Sequence, residues 1–132
     1  MLIAYWILAT PLALVYVLAG ISQLAISKAD LVAAGVAAAE ALPDVVLTAI
    51  GMLELAGAVG LILPMLTGVA VILGPVSAAL LAVVQLAAAT LHLVRLEPEF
   101  LVLNAPLLLL AAATATVGFL GLRRRAEPVP AS

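Results

Sequence analysis

Four stretches of apolar residues, each long enough to cross a lipid bilayer, fill most of this chain and leave it few possible folds. They cover about residues 2–26, 45–63, 68–94 and 100–122. A helix needs about 20 apolar residues to span the hydrocarbon layer. Within lipid the backbone must satisfy its own hydrogen bonds, which confines segments of this length to helices. The expectation is an all-α integral membrane protein, a bundle of four transmembrane helices. Composition agrees, because the chain is 67% hydrophobic and 9% charged, where soluble domains carry roughly 25% charge. The first 27 residues lack a basic leading segment, and their apolar run is too long for a cleavable signal. They read as a signal-anchor helix that stays.

The connections differ in kind. Residues 64–68 read as a tight turn in which Pro64 closes the second span, so spans two and three are antiparallel neighbours. Residues 95–99 form another short turn, with Pro98 suited to a helix start. The longer piece from Lys28 to Asp44 is expected to hold a short interfacial helix over residues 31–42, capped by Asp30 and carrying Glu40. A plain ordered loop is the alternative. Gly74 and Pro75 fall inside the third span and are expected to kink it. Ala56 and Gly60 form a small-xxx-small pair suited to close helix packing.

Charge placement suggests orientation. Arg123, Arg124 and Arg125 follow the last span directly, and basic residues beside a span end favour the cytoplasm. An even number of spans puts the N-terminus there too. Both longer loops are then outside and net acidic: Lys28 against Asp30, Glu40 and Asp44, and Arg95 against Glu97 and Glu99. Glu97 and Glu99 read as solvated loop charges. Tyr5 and Trp6 fit an inner interfacial belt. Residues 123–132 form a basic tail, expected to be disordered from Ala126 onward.

Against this apolar background the polar residues stand out. Glu54 lies in the middle of the second span, where an ionisable group costs about 2.5–3.5 kcal/mol on insertion scales. A partner or a function must offset that. With the orientation above, Gln23, Glu54, Gln85, His92 and Asn104 all fall from the middle of the membrane outward. Tyr16, Gly20, Gln23 and Ser27 share one face of the first helix, and Ala78, Gln85, Ala89 and His92 share one face of the third. If both faces turn inward they meet Glu54 and Asn104 in a polar pocket that opens outward, with the carboxylate at its floor. One reading is a hydrogen-bond network that holds the helices together, with Glu54 neutral or bonded to Gln85 and Tyr16. The other is a ligand or proton site. For His92 the bland alternative is a cation at a helix C-terminus.

Other chemistry is excluded by what the chain lacks. There is no cysteine and only one histidine, so disulfides, thiolate metal sites and His-cluster metal sites are not expected. No Ser-His-Asp set, phosphate loop or nucleic-acid surface is present.

The segment Ile-Gly-Met-Leu-Glu-Leu-Ala-Gly-Ala-Val-Gly-Leu-Ile-Leu-Pro, from Ile50 to Pro64, resembles the second helix of the DoxX-like family of small bacterial membrane proteins. That helix carries Gly-x-x-Glu followed by small residues. Val17-Leu18-Ala19-Gly20-Ile21-Ser22-Gln23-Leu24 resembles the family's first-helix signature, and Ala89-Thr90-Leu91-His92 its third-helix end. The departure is Gln23, where the family commonly has lysine, so Glu54 lacks that cationic partner. The resemblance implies a four-helix bundle in the bacterial inner membrane. It further implies a link to membrane oxidoreductase or oxidative-stress assemblies, and quinone as a candidate ligand.

Three functions follow as expectations. The first is a membrane subunit that binds a lipophilic small molecule such as quinone. In it Glu54 acts as acid or donor, and Gln23, Gln85, His92, Asn104 and Tyr16 position the ligand. A membrane redox partner or further copies of the chain would accompany it. The second is an intramembrane acid/base enzyme, an isomerase, cyclase or hydrolase, with Glu54 and His92 as its catalytic groups. The third is an anchor without a ligand.

Overall fold

The computed structural model describes residues 1–126. It is all-α. Four long helices, α1 (Leu2–Ala25), α4 (Asp44–Thr67), α5 (Leu73–Val94) and α6 (Leu101–Ala126), are each long and apolar enough to cross a membrane. Two short helices, α2 (Lys28–Ala33) and α3 (Ala37–Ala41), join the first pair. A 3-10 turn over Pro98–Phe100 leads into α6. Helix α1 packs on α4 and α6, and α5 packs on the same two. The core is built from Leu12, Tyr16, Leu61 and Leu81, with Ala13, Ala58, Ala78, Ala111 and Ala115 between them. Those alanines let the backbones approach closely. Leucines and valines elsewhere on the long helices face outward, including Leu14, Leu53, Val83 and Leu109. A bilayer removes the cost of that exposure.

Several local expectations change. Helix α4 does not stop at Pro64 but runs to Thr67, and Gly68 ends it with a positive φ of 73° and an N–H bonded to the Pro64 carbonyl at 3.0 Å. Proline in the last turn removes one hydrogen bond, whereas the left-handed turn that closes the helix needs a residue without Cβ. The α4–α5 turn therefore covers residues 68–72, and α5 begins later than expected. Gly74 and Pro75 then lie in its first turn. There a missing N–H costs no intrahelical bond, so Pro75 starts the helix instead of kinking it.

The single helix expected over residues 31–42 is two, broken at Gly35 with φ 82°. Its cap is not Asp30 but Ser27, whose Oγ accepts from the Asp30 N–H at 3.2 Å and donates to Asp30 Oδ2 at 2.6 Å. Tyr5 does not sit in an interfacial belt. It is 1% exposed and donates its hydroxyl to the Leu61 carbonyl at 2.8 Å, because a phenol within a bundle needs an acceptor. Arg123, Arg124 and Arg125 extend α6 as its last turn and do not begin a tail. Cations at a helix C-terminus meet its carbonyl ends favourably. Of the disorder expected from Ala126 onward, Ala126 is instead the last residue of α6, and residues 127–132 lie outside the described residues.

The bundle has two unlike ends. Met1 lies near Gly121 and Arg125, so the start of α1 and the end of α6 share one end. The other end carries α2, α3 and the turn after α5. Two ion pairs tie it together. Lys28 Nζ lies 3.1 Å from Asp44 Oδ1 and also donates to the Leu42 carbonyl at 2.8 Å. Arg95 Nη2 lies 3.3 Å from Glu40 Oε2, linking α3 to the α5–α6 turn. Exposed pairs of this kind contribute about 0–1 kcal/mol each; their value here is in setting where α3 lies.

Candidate functional site

Two glycines create the site. Gly20 on α1 and Gly51 on α4 are buried against each other. A Cβ at Gly20 would stand 2.7 Å from the Gly51 carbonyl oxygen, and one at Gly51 would stand 3.0 Å from Gln23 Cβ. Only glycine at both places allows this approach. Three residues on, and so on the same helix faces, stand Gln23 and Glu54. Gln23 Nε2 donates to Glu54 Oε2 at 2.9 Å. Glu54 is 7% exposed. Its partner is the amide of Gln23, not Gln85 or Tyr16.

Gln85 belongs to a second chain of bonds. The Tyr16 hydroxyl donates to Gln85 Oε1 at 3.1 Å, and Gln85 Nε2 donates to Asn104 Oδ1. Tyr16 and Gln85 are buried and Asn104 half-buried. The amide of Gln85 thus joins α1, α5 and α6. Ser27 has left the α1 face to cap α2. The expected network is two sets of bonds, one on Glu54 and one on Gln85.

Between the two sets lies a cavity of about 400 Å³. Its wall is apolar apart from Gln23, Glu54, Gln85 and His92. Ile50 and Val46 continue down α4 from Glu54 at helical spacing, Val84, Ala88 and Leu91 face them from α5, and Ala38 and Leu42 close it at the loop end. Val46 and Ala87 at its rim are exposed. The cavity therefore opens sideways between α4 and α5, towards the lipid-facing surface, and α3 covers the end that was expected to open outward. Tyr16 and Asn104 do not line it; they hold Gln85.

His92 is 7% exposed and sits on the cavity wall in the last turn of α5. Its Nδ1 lies 3.1 Å from Glu97 Oε2, and its ring stacks on Phe100 at 4.8 Å between centroids. Glu97 is not a solvated loop charge. Its side chain is 19% exposed, and its Oε1 accepts from Arg95 Nε at 2.8 Å. The hydrogen bond from His92, then the hydrogen bond and charge of Arg95, hold its carboxyl below the usual carboxylate range. An ionised carboxylate can only accept, so Nδ1 carries a proton towards Glu97, which leaves Nε2 as the acceptor nitrogen whenever the ring is neutral. The motif His92-x-x-Arg95-x-Glu97 was the signal for this arrangement, since the turn at Leu96, with φ 58°, folds Glu97 back onto the helix end. Among the described residues no three of His, Asp and Glu lie close enough to hold a metal ion.

These features define a class: a four-span integral membrane protein with a lipid-side cavity and a buried carboxyl. A family model, described as the DoxX-like family, matches residues 7–114. The chain belongs to that family. No curated protein and no solved structure matches it.

Proposed function

We propose that the chain binds a lipophilic small molecule in the cavity between α4 and α5. The observation that carries this reading is the cavity itself: about 400 Å³, apolar over most of its wall, open towards lipid, with Gln23, Glu54, Gln85 and His92 as its polar groups. Small-molecule sites are typically about 300–1,000 Å³ with a few convergent polar groups. A planar ring bearing carbonyl oxygens suits it. One oxygen would meet Glu54 or the Gln23 amide, the other, as the hydroxyl of the reduced ring, would donate to His92 Nε2, and an isoprenoid tail would leave between the helices. Quinone is the ligand of that description, and a membrane redox partner or another copy of the chain would supply electrons, since this chain has no thiol. With Arg123–Arg125 on the cytoplasmic side, the cavity lies in the outer half of the membrane.

The test is native mass spectrometry of purified protein, with titration of a short-chain benzoquinone. Wild type should retain a lipophilic molecule. Ala88→Phe should exclude it by filling the cavity without removing a polar group. Equal ligand content in wild type and Ala88→Phe sinks the proposal.

A second reading is favoured by His92. A histidine oriented by a carboxylate is the arrangement of a general base, and it shares a cavity with a carboxyl that can serve as acid. Glu54→Gln separates the two readings. It keeps size and hydrogen bonding but removes the transferable proton, so a binder keeps its ligand and its function while an acid/base enzyme keeps its ligand and loses turnover.

A further inference from the structure

Gln23 stands between two cavities. One is the lipid-side cavity that reaches Glu54. The other, about 200 Å³, lies between α1 and the start of α4, and its wall includes Gln23, Lys28, Asp44, Leu47 and Thr48. Among the described residues, Gln23 is the one common to both walls. The second cavity differs in character: it carries an ammonium, a carboxylate, a hydroxyl and an amide. It also reaches the surface, for the Asp44 side chain is 80% exposed and Thr48 is exposed. A polar space of this size holds several waters.

The Gln23 amide is only half satisfied. Nε2 donates to Glu54, but Oε1 is buried and has no hydrogen-bond partner among the described residues. Gln23 lines the polar cavity, and moving its side chain to another staggered rotamer would bring Oε1 to water that can donate to it and take the amide off Glu54.

We infer that Glu54 has two separate entrances: the lipid-side cavity admits the ligand, and the polar cavity under Lys28 and Asp44 is a water inlet through which protons reach the carboxyl, with Gln23 as the gate between them. The inference rests on reading Glu54 as the polar end of the ligand site. The step is a simple proton exchange. An O–H bond of hydronium breaks and leaves its electron pair on water, while a new O–H bond forms on a Glu54 oxygen. The titratable groups around Glu54 are Tyr16 on α1, Lys28 on α2, Asp44 on its own helix, and His92 on α5 with its partner Glu97. Only Lys28 and Asp44 line the inlet, and they pair with each other at 3.1 Å, so no unpaired charge bars a cation.

The chain has no cysteine, so a single introduced thiol reports its own surroundings. The full chain in sealed vesicles of each orientation would carry Gln23→Cys, Thr48→Cys, Ile50→Cys or Val84→Cys in turn. The probes are a membrane-impermeant alkylammonium methanethiosulfonate and a lipophilic maleimide. From the loop-end side, Thr48→Cys and Gln23→Cys should react with the charged reagent about tenfold or more faster than Ile50→Cys and Val84→Cys, because access sets the rate. The last two should react with the maleimide. Adding Thr48→Trp should slow Gln23→Cys by a similar factor. If Gln23→Cys does not fold, Leu47→Cys, buried on the inlet wall, takes its place with the same expectation. Inlet thiols that react with the charged reagent no faster than Val84→Cys, or a Thr48→Trp plug without effect, overturn the inference. No ligand is involved, so this result is independent of ligand retention in wild type and Ala88→Phe.

Discussion

Replacing Gly20 with alanine adds one methyl group where α1 meets the backbone of α4. The new Cβ would stand 2.7 Å from the Gly51 carbonyl oxygen, whereas ordinary contact begins near 3.4 Å. The helices must part by roughly 0.7 Å to restore normal separation. A backbone carbonyl cannot swing aside as a side chain would. Overpacking of this kind costs about 1–3 kcal/mol, and the gain of alanine over glycine within a helix returns about 0.5–1 kcal/mol. A net loss of about 0–2.5 kcal/mol should remain. The parting also carries the 2.9 Å bond between Gln23 and Glu54 out of hydrogen-bonding range. Gly121→Ala is the control. It is the same change in a long helix, but its Cβ would meet only Met1 Cβ at 3.6 Å, so helix propensity should make it neutral or slightly stabilising. The assay is thermal unfolding in detergent with ligand retention read in parallel. Gly20→Ala should melt below wild type and lose ligand, and Gly121→Ala should do neither. If Gly20→Ala proves as stable as Gly121→Ala and keeps its ligand, the glycine contact is not what positions the site.

Two further outcomes follow. Because hydrogen bonds from His92 and Arg95 hold the Glu97 carboxyl below the usual carboxylate range, the folded state binds this proton less readily than the unfolded chain. Its contribution to stability is thus complete above the ordinary carboxylate pKa and is lost as pH falls through the lowered folded value. Melting temperature against pH should show that acid-side loss in wild type and lack it in Glu97→Gln; parallel curves would refute the assignment. For topology, a reporter fused after Ser132 should be active only in the cytoplasm, and one inserted at Ala34 only outside. The reverse pattern would show that Arg123–Arg125 do not set the orientation.

Gln23, Glu54, Gln85 and His92 were legible as candidates because a polar side chain in an apolar helix has few neutral explanations. The Gly-x-x-Gln of α1 and the Gly-x-x-Glu of α4 are also visible in the chain, but that the two glycines touch is not. Glu97 and Glu99 look alike in sequence, two acids either side of a proline. Only the backbone turn at Leu96 brings Glu97 onto His92 and leaves its neighbour aside.

The class of protein was decided locally. Each apolar stretch answers by itself to the same demand, that some 20 residues satisfy their own backbone in hydrocarbon, so the four spans could be read without knowing their neighbours. The pairing of side chains could not. Lipid is as apolar as the bundle core, so beyond the few polar residues nothing along these helices says which side turns inward or which neighbour it meets. Rotation of each helix about its axis is set by close contacts such as Gly20 on Gly51 and by the bonds of Tyr16 and Gln85. Tertiary structure alone therefore decided that Glu54 meets Gln23 and not Tyr16. The same packing places the cavity's mouth between α4 and α5, with α3 across the end where the sequence pointed to an opening.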